Sequence, residues 1–194
     1  VPAATDNGEV VVNGMSPSRR NNKFANSGIV VELDIEKDFK KYESYGPLRG
    51  LEFQKDLEKI SYYAGGRTQT APAQRLTDFV EGKLSTNLND SSYQPGLKSA
   101  PLHSLLPKII GSRLRKGFKS FGEKMNGYYT DQANIVGVES RTSSPINIPR
   151  NINLEHINIK GLFPCGEGGG YAGGIVSAAM DGERCAEAAI NTLK

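Results

Sequence analysis

The chain of 194 residues sets 24 Lys and Arg against 21 Asp and Glu, and a net charge of +3 gives no strong case for nucleic acid or an anionic membrane as partner. Two cysteines, Cys165 and Cys185, form neither a CxxC pair nor a metal cluster, and with only His103 and His156 a multi-histidine metal site is all but excluded. No stretch approaches the roughly 18 apolar residues of a membrane span, and nothing at the start reads as a secretory signal, so a soluble cytoplasmic protein is expected. Hydrophobic content of 37% with a mean hydropathy of −0.45 is low for a compact protein. It suits long surface segments or a core completed elsewhere, and with Val1 opening strand-like sequence the chain is expected to be a piece of a longer protein.

Residues 1–33 alternate strand-like runs with turns: Val10, Val11 and Val12 precede Asn13-Gly14, and Ile29, Val30 and Val31 follow Ser27-Gly28. The polar segment between them carries Arg19, Arg20 and Lys23, which either bind an anionic substrate or line a solvated loop. From 34 to 132 the pattern becomes helical. Leu51, Phe53, Leu57, Ile60 and Tyr63 or Ala64 mark an amphipathic helix ended by Gly65-Gly66, and a short helix is expected from Ala73 to Val80. Residues 82–101 form a long polar connection, a candidate lid or a plain surface loop. Over 105–125 one apolar face (Leu105, Leu106, Ile109, Ile110, Leu114, Phe118, Phe121 and Met125) opposes Lys108, Arg113, Arg115, Lys116 and Lys119. Such a helix either binds RNA or an anionic membrane, or buries one face and solvates the other.

Strand-like alternation returns around Ile135 to Val138, and Pro145 and Pro149 forbid helix beyond it. Residues 157–163 read as a strand leading into a turn crowded with Gly166, Gly168, Gly169, Gly170, Gly173 and Gly174. A helix follows. Its small stripe is expected at Ile175, Ala179, Gly182, Ala186 and Ala189, with Asp181, Glu183, Arg184 and Glu187 on the polar side. Amides at the start of that helix attract electron-rich groups. Glu167, inside the turn, would repel a phosphate but accept hydrogen bonds from a pair of sugar or ribityl hydroxyls. The chemistry points to the polyol and ring of a nucleotide; a tight turn bearing a solvated glutamate is the other reading.

The segment LFPCGEGGGYAGGIVSAAMDGERCAEA strongly resembles the C-terminal FAD-contacting motif of two-dinucleotide-binding-fold flavoproteins, the group that includes thioredoxin reductase-like enzymes. It looks closest to a bacterial family of FAD-dependent dehydrogenases carrying a PCGEGxGYAGGIxSAAxDG block. The resemblance implies that Glu167, following Gly166, binds a ribityl hydroxyl, and that Gly173, Gly174 and Ile175 face the pyrimidine end of the isoalloxazine. A V-E-x-R-T-S-S-P segment of the same family matches Arg141, Thr142, Ser143 and Ser144, which the resemblance places near the flavin. Arg141 is then a partner for negative charge on reduced flavin or substrate, or a structural ion pair with Glu139 or another acid. NGMS-type and ANSG-type turns make Ser16, Arg19 and Asn26 candidates for the substrate side.

The fold class so implied is mixed α+β and α/β: the C-terminal portion of an FAD-binding Rossmann-like domain, with an inserted mostly helical substrate domain. Residues 1–33 and 133–194 would belong to the FAD domain and 34–132 to the insertion. No GxGxxG strand–turn–helix is present, so the adenosine end of FAD, and any NAD(P)H site, would have to come from sequence preceding Val1. The implied activity is that of an FAD-dependent oxidoreductase acting on a small molecule. No catalytic residue emerges, because no paired acid and base or reactive thiol is legible. The alternative is a non-enzymatic nucleic-acid-binding module built on helix 105–125.

Overall fold

The computed structural model describes residues 1–193, which divide into two compact units: 1–40 with 54–140, and 41–53 with the stretch from Arg141 onward. In the first unit a three-stranded sheet is ordered β2-β1-β3. Strand β1 (Ala71–Arg75) runs parallel to β2 (Leu97–Ser99) and antiparallel to β3 (Asn134–Val136), with Ala73 opposite both Ser99 and Val136. The chain therefore mixes helices with a small sheet.

A helix from Ala73 is not what forms. Residues 71–75 are strand because their backbone is taken up by ladders to β2 and β3, and the Leu76 amide after them is committed to the Ala133 carbonyl at 2.8 Å. Helix α3 (Leu76–Glu81) starts only there, and Gly82 closes it in the left-handed region at φ 76°. Its buried Leu76, Phe79 and Val80 meet Leu102 of the short α4 (Leu102–Leu105) and Phe118 of α5 (Lys108–Lys124). The Phe79 and Phe118 rings meet edge to face, with centroids 6.2 Å apart. Pro107 separates α4 from α5, so the expected single helix from 105 begins at Lys108.

Helix α1 is the short Ile35–Asp38, and helix α2 (Arg49–Gly65) ends at the expected glycine pair. A Cβ on Gly65 would stand 1.9 Å from the Thr70 carbonyl oxygen, so only glycine lets the chain double back into β1. Its inward face is more polar than the periodicity suggests: Glu58 and Ser61 are buried, whereas Ile60 and Tyr63 are 39% and 60% exposed.

Where strands were expected in residues 1–33, the described chain makes one isolated bridge, Pro2 to Val12. Val10, Val11 and Val12 are nonetheless buried, Val12 donating to the Val138 carbonyl at 3.0 Å. The connection 82–101 is pinned to the rest of the first unit at several points. Ser85 is buried between the Arg75 amide and Asp78, and the Tyr93 hydroxyl donates to the Gln69 carbonyl at 2.9 Å.

The second unit contains no strand among its described residues. Residues 157–163, expected to be strand, are turns, because side chains take the backbone amides a ladder would use. His156 Nδ1 accepts from the Asn158 and Ile159 amides at 3.0 Å each, and Glu155 accepts from Gly161 at 2.7 Å. The long element of the unit is α6 (Ile175–Asn191).

Candidate functional site

The glycine turn is folded by its own backbone and by the segment before it. The Tyr171 amide donates to the Gly166 carbonyl at 3.0 Å, and the Ile148 amide to that of Gly169 at 3.1 Å. A Cβ on Gly170, at φ +83°, would meet the Ile146 oxygen at 2.6 Å, so residues 144–148 lie hard against the turn. Gly168 and Gly173 differ, since a Cβ on either would meet nothing within 4 Å. Their backbone faces open space.

Glu167 is exposed, and its carboxylate makes no hydrogen bond or ion pair among the described residues. Helix α6 starts at Gly174–Ile175, where the Gly174 amide donates to Ser177 Oγ at 3.1 Å. The amides of Ile175, Val176 and Ser177 have no acceptor within the helix. Ile175 and Val176 are 92% and 71% exposed, leaving apolar surface beside those donors. An acceptor-only carboxylate, amides at a positive helix end, open glycine backbone and exposed aliphatic surface form a donor set suited to a polyol joined to an apolar heteroaromatic ring. FAD fits that description.

Beneath the turn lies a contact the sequence reading did not find. Asp181, expected on the solvated side of α6, is 7% exposed and forms a two-pronged pair with Arg150: NH2 to Oδ1 at 2.7 Å and NH1 to Oδ2 at 2.9 Å. Asp181 Oδ2 also accepts from the Gly166 amide at 2.9 Å, and Arg150 NH1 donates to the Pro164 carbonyl at 2.8 Å. The guanidinium lies 3.6 Å from the Tyr171 ring centroid. Its hydrogen bond holds the Asp181 carboxyl below the ordinary carboxylate range, against the burial that opposes this.

The buried positions of α6 are thus Asp181 and Cys185, with Ala178 half-buried beside them; of the expected stripe Gly182 and Ala189 are half-buried, whereas Ile175, Ala179 and Ala186 are exposed. The series Ala178, Asp181, Gly182, Cys185 has equally good helical spacing; a carboxylate in it argued for solvent. Cys185 is buried, and burial pushes its thiol up. Cys165 is exposed, so only one of the two cysteines is a packing residue.

Of the other sequence candidates, Arg141 and Ser143 are exposed in the second unit, and the Ser144 hydroxyl donates within its own turn to the Ile146 carbonyl at 2.8 Å. Ser16, Arg19 and Asn26 lie in the first unit, all exposed, with Asn26 donating to Met15 and Ser16. On α5, Arg113 donates to the Glu32 carbonyl and pairs with Asp38, and Arg115 donates to the Val80 carbonyl, while Lys108, Lys116, Lys119 and Lys124 are exposed. Among the described residues no group of three His, Cys, Asp or Glu converges to hold a metal ion, and no helix is long and apolar enough to cross a membrane.

Comparison with known proteins gives two findings. A family described as "FAD-dependent protein, C-terminal domain-like" matches residues 1–142. A protein of Clostridium beijerinckii, described as uncharacterized, is 42% identical over 189 residues, covering 96% of this chain and 35% of the relative. The family match ends before the glycine turn; the similarity to the clostridial protein runs across it. The chain spans about a third of that relative's length.

Proposed function

The chain belongs to the family of FAD-dependent proteins with this C-terminal domain-like region, and from that premise we propose that it is the C-terminal part of a flavin-dependent oxidoreductase of the two-dinucleotide-binding type. In this reading the second unit holds the ribityl and pyrimidine end of FAD. The observation that carries it is the juxtaposition of a carboxylate without a protein partner, open glycine backbone and the start of a 17-residue helix. FAD, when bound, supplies the two-electron chemistry that these side chains lack.

The roles of the residues follow from their chemistry. The Glu167 carboxylate accepts hydrogen bonds from ribityl hydroxyls, and the amides of Ile175 and Val176 face an electron-rich carbonyl edge. Ile175 and Val176 themselves cover the ring and keep water from that edge. Arg141, Ser143 and Ser144 approach from the segment stitched to the turn. In the same reading the adenosine end of FAD and a Rossmann-like first half with its GxGxxG turn belong to the rest of a longer protein, and the small-molecule substrate to the insertion 34–132 expected from the sequence. No described residue is assigned to NAD(P)H.

Titration of the full-length apo-protein with FAD, followed by flavin fluorescence, tests the assignment. Glu167→Ala removes a charge-assisted hydrogen bond worth about 1.5–3 kcal/mol, a loss of roughly 10- to 150-fold in affinity. Glu167→Asp should fall between, reaching through a water. Unchanged affinity in Glu167→Ala would leave the turn with a merely structural role.

A further inference from the structure

Arg150 and Asp181 tie together four stretches of the second unit. Arg150 ends the segment stitched to the glycine turn; its NH1 holds the Pro164 carbonyl at the turn's entry, and its plane stacks on Tyr171 at the turn's exit. Asp181, on α6, holds Arg150 with both oxygens and the Gly166 amide with one. Gly166 and Glu167 are adjacent, and Gly166 stands at φ +66°, so the direction in which the Glu167 side chain leaves the turn is set by the peptide that Asp181 grips.

A buried ion pair is a poor source of stability, because the cost of taking both charges out of water offsets most of their attraction. Here the side chains of Arg150 and Asp181 are 11% and 10% exposed, in a unit whose buried hydrophobic side chains number, among the described residues, only Cys185. What the pair provides is direction. A guanidinium fork and a carboxylate fix each other's plane as an apolar contact does not.

We propose that Arg150 and Asp181 are positioning residues for the cofactor: they hold the Pro164–Glu167 backbone against α6, so that the Glu167 carboxylate is turned toward its ligand before it arrives. The inference rests on the reading of Glu167 as the ribityl ligand. Neither Arg150 nor Asp181 touches the flavin in it; both act through Glu167.

A double-mutant cycle on the full-length protein, with FAD affinity as readout, tests this. Asp181→Asn keeps an acceptor for the Gly166 amide and loses the charge; Arg150→Lys keeps a charge and loses the fork and the stack. Each is expected to weaken FAD binding about tenfold in the parent, and less than about twofold when Glu167 is already alanine. Hydrogen exchange across 164–185 of each apo-protein identifies variants in which the unit has come apart, and the conclusion is drawn from a variant that retains parental protection there. Should Asp181→Asn or Arg150→Lys, with protection retained, weaken binding by the same factor in both backgrounds, the pair is structural only and the inference falls. Should Glu167→Ala alone bind FAD like the parent, the reading of the site falls instead.

Discussion

The two units hold themselves together by different physics. Among the described residues every buried hydrophobic side chain except Cys185 belongs to the first unit, where Leu76, Phe79, Val80, Leu102 and Phe118 form a closed cluster. The second unit has a polar clamp in place of such a cluster, and it exposes large apolar side chains instead, Ile152 at 96% and Ile175 at 92%. Burial of apolar area is strong and without direction; a network of short hydrogen bonds is weaker in net stability and strict in angle. The first unit is therefore built to stay folded, and the second to hold a geometry.

The largest effect that would break this contrast is in the first unit. Phe79 is fully buried, and Phe79→Ala should cost about 3–5 kcal/mol, read as a loss of the unit's cooperative unfolding transition in urea. A cost below about 1 kcal/mol would show that the cluster is not what closes the unit.

The clamp answers to acid. Because Arg150 holds the Asp181 carboxyl below its ordinary value of 3.8, the stability it contributes is complete above that value and is lost as pH falls through the lower native one. Carbon-13 NMR of the Asp181 carboxyl should show its midpoint below 3.8, and a midpoint at or above it would mean that the pair is open in solution.

The smallest effect sharpens the comparison. Ile175→Ser, at a side chain 92% exposed, should change the stability of this chain by no more than about 0.5 kcal/mol, measured by thermal unfolding. A larger loss would mean that the α6 start is packed within the second unit and not open to a ligand.

How much of this was legible in the sequence divides along the same line. The end of α2 followed from its glycine pair Gly65-Gly66, and the apolar face of α5 from helical spacing, because α5 buries an ordinary stripe. The glycine turn and its outward Glu167 were legible from composition. Strand β1 was not, since a five-residue run containing Pro72 and Gln74 has no strand propensity and is fixed by its partners β2 and β3. Nor was the Asp181 clamp, whose partner lies 31 residues back along the chain. A buried carboxylate looks like a solvated one until the arginine that satisfies it is in view.

The clamp also has a consequence for what lies between its arms. Arg150 grips the Pro164 carbonyl, the Arg150 and His156 backbones bridge, and the His156 amide donates to Leu162 at 2.8 Å, so residues 151–162 are a loop tied off at its base. Closing a loop costs only about 0.6 kcal/mol more for each doubling of its length. Extra residues inserted near the exposed Ile152 would thus lengthen a sealed excursion without reaching the turn or α6. Lengthening that loop is therefore expected to leave the contacts of Arg150 with Pro164 and Asp181 in place.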